Sequence, residues 1–277
     1  MSEATSPKTT PPLAPQPQRI RWSGATYLGE LPDQEALSAY RLGENLPPGV
    51  EDSGVTGDLP SEGYRISLRG NRLSLAYADD AGAFYGVQTL RQLLDAPTPN
   101  GEAVIPELEI EDWPDLEHRG FLLDISRLKF PTMETLRQIV DLMSLLKLNQ
   151  LQLYTEHTFA YEEHQVVWEG HSPITGPEVQ ELDSWCRERN IELVPNQNSF
   201  GHMRPWLIHD EYKHLAEAPE GFQDPWGNRR DYPYSLSPAV PETLDFLDGL
   251  YDALLPNFSS RRLNVGCDET FDLGQGR

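Results

Sequence analysis

The chain has 277 residues, 38% of them hydrophobic and 24% charged, enough length and apolar content for about two domains with packed cores. With 44 acidic against 22 basic residues, the net charge is −22. That argues against nucleic acid or an anionic membrane as a partner, since both are bound through clustered Lys and Arg, and it points to a substrate that is not strongly anionic.

Residues 1–18 are rich in Pro, Ser and Thr. They lack a basic start followed by an apolar stretch, so they do not read as a secretory signal; a disordered leader is expected. No run of about 18 apolar residues that would span a membrane occurs. The two cysteines, Cys186 and Cys267, have no metal-ligand flanks. Buried free thiols and a cytoplasmic location are expected.

Residues 19–115 read as a small α+β domain. A strand is expected over 19–28, a short helix over 33–41 and a loop over 43–62, where Pro47, Pro48, Gly49, Gly54 and Gly57 interrupt any pattern. Residues 64–68 and 73–77 alternate with period two around Gly70-Asn71, which predicts a hairpin. Asp79 or Asp80 can cap a helix that lines up Phe84, Val87, Leu90 and Leu94. A strand returns over 103–110.

A boundary falls near Asp112-Trp113-Pro114-Asp115, and the pattern then changes to strand, helix, strand, helix. Strands are expected over 118–125, 150–154, 191–195 and 263–268. Between them, Thr132 can cap a helix with Leu136, Ile139, Val140, Met143 and Leu146 on one stripe, and Pro177 suits a helix first turn. Residues 241–254 supply another helix. Four such units predict a parallel sheet covered by helices. No Gly-rich phosphate fingerprint follows any strand, so a barrel fits better than a dinucleotide fold. A full eight-stranded barrel takes roughly 200 residues or more. Residues 116–277 therefore read as the front half of a (β/α)8 barrel, either part of a longer protein or completed by another chain.

Every predicted strand ends in polar residues. The first gives Asp124, Ser126 and Arg127; the second Tyr154, Glu156 and His157; the third Asn196, Gln197 and Asn198, then Gly201-His202; the fourth Asp268 and Glu269. In a barrel these groups meet at one mouth. Each has a plainer alternative. Asp268-Glu269 can be a solvated loop pair, Arg127 can pair with Asp124, and Met203, Trp206 and Leu207 read better as helix core than as a ligand platform. Glu156, His157 and His202 lack metal-ligand spacing, so no metal or other cofactor is expected. Asn, Gln, Tyr and Arg side chains instead suit hydrogen bonding to sugar hydroxyls.

Residues 119–127 (Arg-Gly-Phe-Leu-Leu-Asp-Ile-Ser-Arg) resemble the opening barrel strand of glycoside hydrolase family 20, the β-N-acetylhexosaminidases. Lys147-Leu148-Asn149, Gly201-His202 and Gly266-x-Asp268-Glu269 match that family in order, and Tyr85 to Leu93 resembles a helix of its non-catalytic first domain. The resemblance implies a retaining, substrate-assisted hydrolase, outside the two-carboxylate scheme, acting on glycosides with a terminal β-linked N-acetylhexosamine. It implies Glu269 as general acid and then base, with Asp268 orienting the substrate's 2-acetamido group. Adjacent carboxylates would also push one pKa up, which favours a protonated acid. Arg127 would bind sugar hydroxyls and His202 would support the site; Glu156, His157, Asn196 and Asn198 join them as candidate substrate-binding residues. The chain departs from the family where Tyr154-Thr155-Glu156-His157 and Pro195-Asn196-Gln197-Asn198 replace acid-containing motifs. Two alternatives stand beside this reading. One is a non-catalytic carbohydrate-binding or scaffolding remnant. The other is a glycosidase with two separate carboxylates, Glu156 opposite Glu269.

Overall fold

The computed structural model describes residues 12–95 and 105–276. It divides into two compact units. One comprises the described residues up to Arg119 together with 139–149 and 187–191; the other comprises 120–138, 150–186 and 192 onward. Two stretches beyond the boundary expected at 115/116, residues 139–149 and 187–191, cluster with the first unit.

The first unit is built on β1 (Arg19–Thr26), α1 (Gln34–Ala39), β2 (Glu51–Val55), β3 (Tyr64–Arg69), β4 (Arg72–Tyr77), α2 (Asp80–Asp95) and β5 (Pro106–Asp112). Its sheet has the order β1-β5-β3-β4-β2. The period-two alternation of β3 and β4 sends Ile66, Leu68, Leu73 and Leu75 into the core, where they join Phe84, Val87 and Leu90 of α2. Asp79 caps that helix, accepting from the Gly82 amide at 2.8 Å. Gly86 lets α2 come close to the sheet, since a Cβ there would lie 2.6 Å from Leu75 Cδ1. The strand expected to begin at 103 forms over β5; positions 103 and 104 lie outside the described residues.

Two expectations are corrected here. The loop expected over 43–62 contains β2, which pairs parallel to β4; its sequence, Glu-Asp-Ser-Gly-Val, has no apolar alternation, and Arg72 on Glu51 and Tyr77 on Asp52 hold it in place. The leader expected to be disordered over 1–18 packs from Leu13 onward. Leu13 is buried, and Gln92 Nε2 donates to the Ala14 carbonyl at 2.8 Å. Residues 1–11 lie outside the described residues.

The first unit also buries a charge. Lys147 Nζ donates to Asp112 Oδ2 at 2.8 Å and to Tyr64 Oη at 2.7 Å, and Tyr64 Oη in turn donates to Asp112 at 2.7 Å. Burial pulls the Lys147 ammonium pKa down against the attraction of Asp112.

The second unit holds β6 (Gly120–Asp124), β7 (Gln150–Tyr154) and β8 (Glu192–Val194), a parallel sheet in that order. The helix α3 (Met133–Leu145) follows β6 in sequence, α4 (Gln165–Trp168) and α5 (Gly176–Arg187) follow β7, and α7 (Glu242–Leu254) follows β8. Thr132 caps α3 through the Thr135 amide. The fourth strand expected over 263–268 is corrected to a single parallel bridge, Asn196 to Asn264. Asn264 Oδ1 accepts from the Gly266 amide at 3.0 Å and Gly266 takes φ 50°, so the chain turns before a ladder can continue. Between β8 and α7 lie α6 (Arg204–Leu207) and a small hairpin, β9 (Phe222–Gln223) with β10 (Arg229–Arg230). Among the described residues no helix is long and apolar enough to cross a membrane.

Candidate active site

The carboxyl ends of β6, β7 and β8 and the turn after Asn264 converge within the second unit. Asp124 Oδ1 accepts from the Ser126 amide at 2.8 Å, and Ser126 Oγ accepts from the Glu156 amide at 2.9 Å. The first two strand ends are thereby tied together, with Arg127 and Glu156 brought side by side. Arg127 Nη1 donates to Glu156 Oε1 at 2.6 Å; its distance to Asp124 is longer, 3.7 Å. The guanidinium lies over the Tyr154 ring, 5.3 Å from its centroid, and Tyr154 Oη donates to the same Glu156 oxygen at 3.0 Å.

His202 stands between acids. Its Nδ1 lies 3.3 Å from Glu156 Oε1 and 3.0 Å from Tyr234 Oη; its Nε2 lies 3.1 Å from Glu269 Oε2 and 3.8 Å from Asp268 Oδ2. Burial raises the pKa of Glu156 against the pull of Arg127 and His202. Burial also raises the Tyr234 phenol, with Glu269 and Glu156 adding to it. The side chains of Asp268 and Glu269 are 61% and 53% exposed, while that of Glu156 is 8% exposed. The cluster thus has a dry base and an open rim.

The turn geometry is fixed by close backbone approach. A Cβ on Gly201 would sit 2.1 Å from the Asp268 carbonyl oxygen. Trp206, fully buried, donates its indole N–H to the Glu156 carbonyl at 2.7 Å, in keeping with the reading of Met203, Trp206 and Leu207 as core.

The amides of the third strand end are buried. Gln197 Nε2 donates to the Glu156 carbonyl at 3.1 Å and its Oε1 accepts from Tyr161. Asn198 Nδ2 donates to the Thr155 carbonyl at 3.2 Å. Asn196 and Asn264 both donate to Gln152 Oε1, at 3.3 and 2.9 Å. His157 is buried too, edge-on to His171 with its Nδ1 unpartnered, and burial lowers its pKa to about 4. Of the eight candidate residues, the structure brings Arg127, Glu156, His202, Asp268 and Glu269 into one cluster. His157 lines the cavity of about 660 Å³ beside Arg127, Glu156 and His202; Asn196 and Asn198 sit below, facing neighbouring strands.

Two functional features were not anticipated. Tyr234 touches His202 although it lies in an aperiodic stretch; the only sequence signal was the length of that stretch, since long loops in compact domains carry function. The trio His202, Asp268 and Glu269 presents three ligand atoms within 4.8 Å of one another, a spacing that can hold a cation and differs from the set weighed from the sequence. Cys186 is buried as expected, but Cys267 is exposed beside Asp268.

A parallel β/α sheet whose strand ends gather an imidazole between carboxylates, in a chain that also carries an α+β unit, is the arrangement expected of the front part of a β/α barrel with a polar mouth. Residues 25–113 match "Glycosyl hydrolase family 20, domain 2" and residues 116–273 match "Glycosyl hydrolase family 20, catalytic domain". The chain belongs to glycosyl hydrolase family 20. It is 27% identical over 234 residues to a beta-hexosaminidase of Porphyromonas gingivalis, covering 76% of this chain and 29% of that protein. To the N,N'-diacetylchitobiase of Vibrio harveyi it is 29% identical over 232 residues, covering 71% and 26%. A chitobiase structure from Flavobacterium johnsoniae superposes with a TM-score of 0.75 at 20% identity, covering 94% of this chain and 45% of that one. The chain therefore spans about a quarter to a half of the length of these relatives.

Proposed function

We propose that the whole protein removes terminal β-linked N-acetylhexosamine by a retaining, substrate-assisted mechanism, and that this chain carries its acid–base machinery. The observation that carries the reading is His202, set between buried Glu156 and open Glu269 with Asp268 alongside. The imidazole, held through Nδ1 by Glu156 and Tyr234, positions the Glu269 carboxyl through Nε2. Glu269 then gives its proton to the leaving glycosidic oxygen as the substrate's acetamide carbonyl oxygen attacks the anomeric carbon. Asp268 accepts from the acetamide N–H and balances the charge that develops there. In the second step Glu269 takes a proton from water as that water opens the cyclic intermediate, which restores the anomeric configuration. Arg127, aligned by Glu156 and Tyr154, binds sugar hydroxyls. Asn196 and Asn198 brace the strand ends rather than meeting the sugar.

The test is hydrolysis of an aryl N-acetyl-β-glucosaminide by the whole protein and by Glu269→Gln. General acid–base catalysis contributes about 10²–10⁴-fold, so kcat is expected to fall by that factor with sugar binding retained. Unchanged turnover in Glu269→Gln would sink the proposal. A second reading, carbohydrate binding without turnover, is favoured by the buried amides Asn196, Gln197 and Asn198, which stand where the family carries an acid-containing motif. It predicts sugar binding with no hydrolysis by the whole protein.

A further inference from the structure

The imidazole set among carboxylates has the makings of a metal ligand as well as of a positioning group. His202 Nε2 lies 3.1 Å from Glu269 Oε2 and 3.8 Å from Asp268 Oδ2, and one ligand atom from each of the three residues lies within 4.8 Å of the other two. Ligand atoms on a tetrahedral zinc ion, at bond lengths of about 2.0–2.2 Å, stand about 3.4 Å apart. The two separations measured from Nε2 bracket that edge.

The far side of the ring is prepared too. Its Nδ1 faces Glu156 Oε1 at 3.3 Å and Tyr234 Oη at 3.0 Å. A metal-bound histidine almost always gives its other ring N–H to a carboxylate, carbonyl or water, which fixes the ring and strengthens it as a ligand. Glu156 is buried and is itself anchored by Arg127 Nη1 at 2.6 Å. The ligands are also set together in advance, because the Gly201 backbone beside His202 packs against the Asp268 carbonyl. Groups already in place lose little freedom when an ion arrives. Two carboxylates with one imidazole balance a dication and leave a fourth position for water. The imidazole in the set favours zinc over magnesium or calcium, and the net charge of −22 draws cations in general.

We propose that His202, Asp268 and Glu269 form a reversible zinc-type metal site, whose occupation takes the Glu269 carboxylate out of service as an acid and so inhibits the enzyme. The inhibition rests on the reading of Glu269 as the general acid; binding of the ion does not. The ion needs no covalent step, since the three side chains coordinate it through existing lone pairs and a chelator takes it away again.

The experiment titrates the chelator-stripped whole protein with zinc chloride in competition with a chromogenic chelator. One zinc ion per chain is expected to bind in the micromolar range, with no binding of magnesium at the same concentrations. Glu156→Gln, which spares all three ligands, should weaken zinc about 10–100-fold, and His202→Gln and Asp268→Asn, the latter keeping size and shape, should weaken it at least as much. Cys267→Ser should leave it unchanged, because the neighbouring thiol is not part of the set. Absence of zinc binding, binding that survives both His202→Gln and Asp268→Asn, or binding lost in Cys267→Ser would overturn the site. Zinc should also inhibit hydrolysis of an aryl N-acetyl-β-glucosaminide in competition with substrate, over the range in which it binds, and a chelator should restore turnover. Binding without inhibition would overturn the inhibitory role. If the whole protein does not hydrolyse this substrate, the functional reading has failed, and the metal site is decided by the binding series alone.

Discussion

His202 and Glu269 reach each other because both are left-handed. With φ of 59° and 52°, imidazole Nε2 and carboxylate Oε2 come to 3.1 Å. Side chains other than glycine seldom take this conformation, and where they do it is often at a working site. Replacing His202 with Asn removes its contact with the Glu156 carboxylate, a charge-assisted one worth about 1.5–3 kcal/mol, or roughly 10–100-fold in kcat. Tyr234→Phe removes only a neutral hydrogen bond and should cost about fivefold. Its specific signature is a changed imidazole nitrogen shift at His202 in NMR. Unaltered His202 resonances would mean that Tyr234 does not position the ring.

Gly201 is the hinge of that arrangement. A Cβ there would strike the Asp268 carbonyl, so Gly201→Ala forces two loops apart. Overpacking of this kind costs about 1–3 kcal/mol. A lower melting temperature together with reduced activity is expected; a variant equal to wild type in both would show that the loops have room.

The buried Lys147–Asp112 pair makes a double-mutant prediction. Lys147→Met leaves Asp112 buried with an uncompensated charge and should destabilise by about 3–5 kcal/mol. Adding Asp112→Leu removes the stranded carboxylate and should recover most of the loss. Urea unfolding of the two variants measures this, and equal destabilisation in both would contradict it.

His157 sets a pH dependence of stability. In the unfolded chain its imidazole titrates near 6.5, and burial, with His171 and Arg127 nearby, lowers it to about 4 in the fold. A depressed native pKa means that the unfolded state takes up the proton first. The stability is complete above pH 6.5 and is lost as pH falls toward 4, by at most about 3 kcal/mol. His157→Gln should flatten that part of the curve in urea unfolding between pH 7.5 and 4.5. A variant that keeps the wild-type slope would assign it elsewhere.

Local patterns carried much of the fold in the sequence. The alternation of 64–77 and the Thr132 cap each encode a short-range preference, and the structure uses them as written. The strand β2 and the bridge at Asn264 were not legible in the same way, because partners distant in the chain decide them. At the site, the polar strand ends announced a mouth. They did not announce that Asn196 and Asn198 face inward while Arg127 and Glu156 face each other, nor that Tyr234, far along a patternless stretch, returns to His202. A one-residue difference in where each strand ends decides those orientations.

Glu156 Oε1 lies within reach of Arg127, Tyr154 and His202 at once, at 2.6, 3.0 and 3.3 Å. Three neighbours sharing one atom cannot vary independently. Loss of any one lets the carboxylate swing toward the remaining two, so substitutions at 127, 154 and 202 will be strongly non-additive in a double-mutant cycle. An evolving or engineered lineage could change this cluster only by moving several of its members together.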